Sequence, residues 1–289
     1  MTSSFPASAA DPRDDSGGSF GAYGLRLLGV AASHLLVPAP AEWPTFELVR
    51  RVRRRPARAP LISDDRAVVV LGANSDIVID RKQERAVFTT ARQLSDDELV
   101  HPYLASVPAV VSPWLGRESF HAGAFVHDGG VWGLIGKRQA GKSTMLAWLA
   151  VNGHDVFADD VLVLAGATAF AGPRSVDLRT ESAQRLGAGE PLGVIGSRER
   201  WRLTLGPVEP ELPLRGWICL DWGESVEAVR MSGAQRLQRL ASERALLVAP
   251  ADPAVLVELA ALPCWELGRP RGWSSVSETG TRLLELVAG

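Results

Sequence analysis

Short apolar runs, cut by turn residues, fill the first hundred positions. Residues 24–30, 67–72, 76–80 and 85–90 each have the length and content of a strand. At Leu94-Ser95-Asp96-Asp97-Glu98-Leu99 the pattern becomes that of a short helix, with Ser95 as the cap and Glu98 completing a capping box. Prolines at 102, 108 and 113 then break the chain. Beyond them, residues 119–126 alternate as a strand, and His127-Asp128-Gly129-Gly130 is a hairpin-turn signal. Residues 130–135 form a second, mostly apolar strand, and residues 144–150 form a helix that stops at Asn152-Gly153. An apolar run over 155–164 follows, then a turn at Gly172-Pro173-Arg174 and a helix-like stretch over 180–186. Residues 214–221 read as a late core strand, and 234–247, 252–262 and 275–288 as helices. The pattern predicts an α/β protein with three parts: a disordered tail over 1–18, a smaller, mainly β N-terminal domain over 19–112, and a larger α/β domain over 113–289.

Composition changes this picture little. The chain has 289 residues, 46% of them hydrophobic and 22% charged, enough for a sizeable core. A formal net charge of −2 gives no bulk attraction to nucleic acid or anionic membrane, so neither is expected as a partner. The tail lacks the basic and apolar regions of a signal peptide, and no apolar stretch approaches the ~20 residues of a membrane span. Cys219 and Cys264, far apart in apolar settings, read as buried free thiols, which points to a reducing, cytoplasmic location. Trp132, Trp148 and Trp217 fall in core elements and read as packing residues. The basic run Arg50-Arg51-Val52-Arg53-Arg54-Arg55 reads as a solvated strand edge in preference to a grip on an acidic peptide. The sequence leaves a homo-oligomer open.

Candidate chemistry begins at Gly136-Lys137-Arg138-Gln139-Ala140-Gly141-Lys142-Ser143-Thr144, which fits the phosphate-binding template G-x-x-x-x-G-K-[ST]. A strand before it and a helix after it would aim a nest of backbone N–H groups at phosphate. Lys142 would reach the outer phosphates, and the Ser143 hydroxyl would ligate Mg²⁺, which makes ATP and Mg²⁺ the expected cofactors. Downstream stand two adjacent aspartates, Asp159 and Asp160. On a regular strand they would face opposite ways, one towards Mg²⁺ and one towards an acceptor hydroxyl; the competing reading is a turn or helix cap. His121, alone among apolar residues, reads from its surroundings as structural, and His127 as a turn residue. Arg198, Arg200 and Arg202 are clustered cations that would line a phosphate site or hold a substrate carboxylate.

Together these residues resemble the catalytic domain of the bacterial HPr serine kinase/phosphorylase family. His121 stands fifteen residues before the first loop glycine, and the Asp pair closes eighteen residues after Lys142, as in that family. The chain is more similar still to the HPr-kinase-like proteins of bacterial gene clusters, with their pattern L-H-A-S-A, G-x-S-G-x-G-K-S-T and G-x-x-x-x-x-D-D. Some of those phosphorylate serine on ribosomally made precursors such as lasso peptides. The resemblance is tight over 115–165, looser to 289 and faint before 100. It implies an HPr-kinase-type nucleotide core in which Lys142 contacts the β and γ phosphates. Ser143 and Asp159 hold Mg²⁺, Asp160 takes the acceptor proton, and His121 lies near acceptor and phosphate. Val176-Asp177-Leu178-Arg179, matched to the family's L-E-I-R segment, would make Asp177 a metal-site carboxylate and Arg179 a phosphate-side cation. Arg138 and Gln139 replace a serine and a glycine of the family loop, and Gly123 replaces a serine. The glycine-containing signature of the bifunctional enzyme is absent after Arg179, so transfer without phosphorolysis is expected. The expected function is phosphorylation of a serine hydroxyl on a peptide or small protein. A small-molecule hydroxyl kinase and a non-catalytic nucleotide-binding regulator are the alternatives.

Overall fold

A computed structural model describes residues 19–195, 198–247, 249 and 251–289, so the expected tail over 1–18 lies outside the described residues. The fold is mixed α/β with three sheets. The first sheet holds β1 (Phe20–Ala22), β2 (Leu25–Leu28), β3 (Val37–Pro38), β4 (Thr45–Val52), β5 (Leu61–Ile62), β6 (Arg66–Gly72), β7 (Ser75–Asp80) and β8 (Arg85–Thr90). Their order is β3-β1-β2-β4-β8-β7-β6-β5. Ile77, Ile79 and Phe88 bury completely and fix the register of the central strands. The pattern over 45–52 was too short in apolar residues to suggest β4, yet Phe46 and Leu48 alternate inwards there. The first residues of the basic run close β4, where they pair with β8 but run past β2, whose pairing stops at Glu47; Arg51, Val52, Arg53 and Arg54 are exposed, as expected of a solvated edge. Arg50 donates to the Gly29 carbonyl at 3.0 Å and pairs with Asp96 at 2.7 Å.

The capping box forms as expected around α1 (Asp96–Glu98), with Ser95 and Glu98 in reciprocal bonds. A helical turn over Leu99–Tyr103 follows, interrupted at His101 (φ −146°, ψ 123°), and then α2 (Ser106–Trp114).

The second sheet is built round one long strand. Its members are β9 (Glu118–Phe120), β10 (Ala122–His127), β11 (Gly130–Gly136), β12 (Val156–Ala158), β13 (Leu162–Ala165), β14 (Thr168–Phe170), β18 (Glu211–Trp222), β19 (Glu227–Arg230) and β20 (Cys264–Arg269). β18 lies parallel to β11 on one side and to β20 on the other, while its first residues pair antiparallel with β14. Such a parallel centre must be covered on both faces; accordingly β11 is buried along its whole length and β18 is buried from Gly216 to Leu220. Trp217 of β18 is fully buried, meets Phe120 edge-on at 5.3 Å and donates to the Leu259 carbonyl at 3.2 Å. The helices are α3 (Lys142–Val151), α4 (Thr180–Leu186), α5 (Gly233–Ser242), α6 (Pro253–Ala261) and α7 (Val276–Ala288). Gly280 of α7 lies flat on the Trp148 ring of α3, where a Cβ would overlap it. A third, antiparallel sheet, β15 (Ser175–Leu178), β17 (Arg198–Thr204) and β16 (Glu190–Ile195), runs in the order β15-β17-β16.

Two further details differ from the sequence reading or add to it. Cys219 and Cys264 are free and buried, but they are not apart in space, because β18 and β20 set their sulfurs 3.8 Å from each other. Arg174 is buried, and burial lowers its pKa to about 10. It donates to the carbonyls of Val156 (2.6 Å), Phe157 (3.2 Å) and Gly206 (3.0 Å), lashing β12 to the chain after β17. Among the described residues no helix is long and apolar enough to cross a membrane.

Replacing Arg174 by Met keeps the bulk of the stem but removes the guanidinium donor from all three carbonyls, of which Phe157 keeps the Gly172 N–H at 3.0 Å. The loss is expected to be about 3 kcal/mol. It should appear as a lower urea midpoint at unchanged slope; a shift within experimental error would remove the strap from the account.

Candidate functional site

The β10–β11 hairpin turns on Asp128 (φ 46°) and Gly129 (φ 66°), with His127 opposite Gly130, the left-handed pair of a two-residue hairpin. β11 then delivers Gly136, and α3 begins at Lys142 with Gly141 as its N-cap at φ +87°. A side chain at Gly141 would collide with the Arg269 guanidinium, which donates to the Ala140 carbonyl at 2.9 Å and stacks on Trp222 at 4.4 Å. Arg269 therefore props the loop from behind. Gln139 does not crowd its neighbours, but it sits at φ +70°, a region that favours glycine. Lys142 is buried and turns its ammonium onto the Gly136 carbonyl. Burial lowers its pKa, against the opposing pull of Glu243, Asp159 and Asp160.

The two aspartates diverge for a reason other than strand alternation. β12 ends at Ala158, before either of them. Asp160 then takes a left-handed backbone (φ 63°), which a short polar side chain tolerates. Asp159 turns inwards, 2% exposed, and accepts from the Ser143 hydroxyl at 3.1 Å. Its other oxygen, Oδ2, is buried with no partner. Burial first, and the Asp160 charge second, push its pKa up to about 8. Asp160 faces the cleft, with its side chain 36% exposed.

His121 ends the expected strand over 119–126. The chain breaks there, so that β9 pairs with β13 while β10 pairs with β11 and β12. The His121 side chain lines the cleft, with Nδ1 3.1 Å from the Asp160 carbonyl oxygen. A carbonyl accepts only, so Nδ1 carries the proton and Nε2 is left as an acceptor. Burial, then the Lys142 charge, lowers the pKa and favours the neutral ring.

Lys142, Ser143, Thr144, Arg138, Gln139, Gly141, His121, Asp160 and Asp177 share one cleft of about 820 Å³, together with Arg179, Arg198 and Arg200. Gly136 and Ala140 are buried beneath it, and Lys137 is exposed outside its lining. Thr144 Oγ1 is 3.1 Å from the Ser182 hydroxyl of α4. Asp177 has another occupation than the expected metal ligand. Arg202 Nε donates to Oδ1 at 3.0 Å and Arg200 Nη1 to Oδ2 at 3.3 Å.

One residue escaped the sequence reading altogether. His101 is buried, its Nε2 has no partner, and that atom is 3.6 Å from both Asp160 Oδ2 and Asp177 Oδ2. Arg202 holds it in place by donating to its carbonyl at 2.6 Å. Burial lowers its pKa, outweighing the pull of the two carboxylates. One ligand atom each from His101, Asp159 and Asp160 lie within 4.8 Å of one another. With Asp159 Oδ2 buried and without a hydrogen-bond partner among the described residues, and the Ser143 hydroxyl bonded to Oδ1, the donor set fits a divalent cation.

No family model matches the chain, and no curated protein matches it. Among solved structures the chain is similar to the Hpr(Ser) kinase/phosphatase from Coxiella burnetii, at 15% identity and a TM-score of 0.29. The match covers 59% of this chain and 98% of that one. A TM-score of this size does not establish a shared fold.

Two outcomes follow from the geometry. Asp159 binds its proton more tightly folded than unfolded, so it withdraws stability as pH rises from about 4 to about 8. Without divalent cation, Asp159→Asn should therefore gain thermal stability over the wild type between pH 5 and pH 8. Added Mg²⁺ should raise the melting temperature of the wild type at pH 8 and leave the variant unmoved. Parallel pH profiles for the two proteins would refute the orphaned-carboxylate assignment. Separately, Gln139→Gly relieves a left-handed backbone and should stabilise the protein by up to about 1 kcal/mol, measured by urea unfolding.

Proposed function

We propose that this chain is an ATP-dependent phosphotransferase that moves the γ-phosphoryl group to a serine hydroxyl of a peptide or small protein. One observation carries the proposal: groups suited to holding phosphate and groups suited to handling a hydroxyl face the same cleft. Lys142, Ser143 and Thr144 at the helix start line it together with Asp160 and His121. Serine as acceptor, and a ribosomally made precursor of the lasso-peptide kind as its carrier, rest on the sequence resemblance alone.

The chemistry asks little covalent work of the protein. The acceptor oxygen attacks phosphorus, the bond to the β,γ-bridging oxygen breaks, ADP leaves, and the hydroxyl proton passes to Asp160. Lys142 exchanges the Gly136 carbonyl for phosphate oxygens, so its charge is available only when a ligand arrives. Arg138, Arg179, Arg198 and Arg200 add positive charge around the same space. His121 lines the same cleft and is tied through Nδ1 to the Asp160 carbonyl, so it would help hold the backbone that carries the acceptor-facing carboxylate. Ser143 and Asp159, with His101 and Asp160 within reach, would hold Mg²⁺, which when bound neutralises charge on the phosphates.

Lys142→Ala should weaken ATP binding by at least about tenfold and leave no detectable transfer. Asp160→Asn should keep Mg-ATP affinity within about twofold while turnover drops about 10²-fold to 10⁴-fold. Calorimetry with ATP, followed by phosphoryl transfer from labelled ATP to serine peptides and to free hydroxylic metabolites, measures both. Unchanged ATP affinity in Lys142→Ala would overturn the nucleotide assignment. Transfer to small molecules alone would move the chain to the small-molecule class.

A further inference from the structure

A second cleft, of about 1070 Å³, opens beside the first and shares Arg200 with it. It lies between the first sheet, the proline-broken segment before α2 and the outer strand of the third sheet. Among the described residues its charged lining consists of Arg54, Arg55, Arg92 and Arg200, with no acidic side chain. Three of these guanidiniums already have partners. Arg55 pairs with Asp76 at 3.3 Å, Arg92 with Glu98 at 2.8 Å and Arg200 with Asp177 at 3.3 Å. Those partners fix the arginines in place and leave further donors of each fork available. Arg54 is exposed and makes no ion pair with a described residue.

From these features we infer that the second cleft binds an acidic segment of the phosphoacceptor polypeptide itself and feeds its serine past Arg200 to Asp160. The inference rests on the phosphotransferase reading above and names the substrate class of that site. Charge complementarity supplies the first support: four fixed or mobile guanidiniums with no competing carboxylate in the lining recognise carboxylates. The second support is an open strand edge. Among the described residues β16 pairs with β17 alone, and Val194 on it is 70% exposed while lining the cleft. An extended peptide can add to such an edge by main-chain hydrogen bonds, its acidic side chains meeting the arginines. Leu71 and Pro56 offer apolar surface to the residues between. A single-stranded nucleic acid fits less well, because Tyr103 is the one aromatic side chain in the lining, too few for a stacking platform.

The test uses the full chain without nucleotide, so its outcome does not depend on turnover. Fluorescein-labelled serine peptides, with a run of glutamates before or after the serine, are titrated and followed by anisotropy. Matching peptides with glutamine for glutamate, and a labelled oligothymidylate, serve as comparisons. One glutamate peptide is expected to bind, and its affinity should fall at least about tenfold between about 50 and about 500 mM salt. Arg54→Glu should cause a similar loss and Arg54→Lys should restore most of it, while binding of a fluorescent ATP analogue stays the same in both variants. Equal binding of the glutamine peptides, no effect of Arg54→Glu, or binding of the oligothymidylate in place of the peptides would each overturn the inference. Failure of the wild type to bind the ATP analogue would instead sink the phosphotransferase reading, and the peptide titration would still report on the cleft.

Discussion

Asp159 is a carboxylate taken out of water, with the Ser143 hydroxyl and the Asp160 backbone N–H as its hydrogen-bond donors and one oxygen left unpartnered. An ion so placed costs several kcal/mol unless something compensates it, and the group relieves that cost by holding a proton. The pKa of about 8 expresses this. The Lys142 ammonium attracts it but makes no ion pair with it, since Lys142 is itself buried and turned onto the loop carbonyl of Gly136. A structure that keeps a carboxylate in this condition is poised for a cation from outside. Much of the surrounding fold serves to maintain it: Arg174 lashes down the strand that delivers Asp159, and β18 aligns β11 so that Ser143 meets it.

Around this carboxylate the site is composite. Arg269 comes from the last strand of the second sheet and props the loop, while Gly141 makes room for it. Asp177 and Arg202 come from the third sheet, and through Arg202 they hold the backbone of His101, which the segment after the first sheet supplies. The ion pair is thus more than a surface ornament. Both partners are almost fully buried, so removing either would strand a charge and release the histidine from Asp160. Three parts of the chain meet at one point because buried charges there require each other.

What the sequence made legible is what local chemistry dictates. The Asp128-Gly129 hairpin, the glycine-bounded loop between strand and helix, and the Ser95–Glu98 capping box each follow from a few consecutive residues. Features that depend on distant parts of the chain were not legible. His101 sits in a proline-broken stretch without periodicity, and only its burial against Asp160 and Asp177 marks it. Asp177 offered no sign of its arginine partners, which follow twenty-three and twenty-five residues later on a strand that reverses beside it. Parallel pairing of β18 and β20 brings Cys219 and Cys264 together across forty-five residues. β4 escaped because its arginines, read as edge residues, occupy the end of a strand whose buried part holds only Phe46 and Leu48.

The distribution of charge also explains why cations on the cleft wall do not replace a metal. Arg138, Arg179, Arg198 and Arg200 line the outer space, with Asp160 and Asp177 the carboxylates among the lining residues. An anion entering there meets an excess of positive charge, strengthened where water is displaced. Asp159 lies deeper, behind Ser143, with the Asp160 charge beside it. Guanidiniums are too large and too firmly held to follow it inwards, and Asp177 already occupies Arg200 and Arg202. A small divalent ion can answer the inner carboxylates while the arginines answer the outer phosphates. The two charge systems are separated by depth, so a cation in the inner one would offset the repulsion between Asp159 and Asp160. That repulsion is the second largest cause of the raised Asp159 pKa, and it acts on the same Asp160 that the proposed chemistry needs ionised. In the proposed reaction, cation binding at Asp159 and proton acceptance at Asp160 would therefore be coupled through one pair of neighbouring side chains.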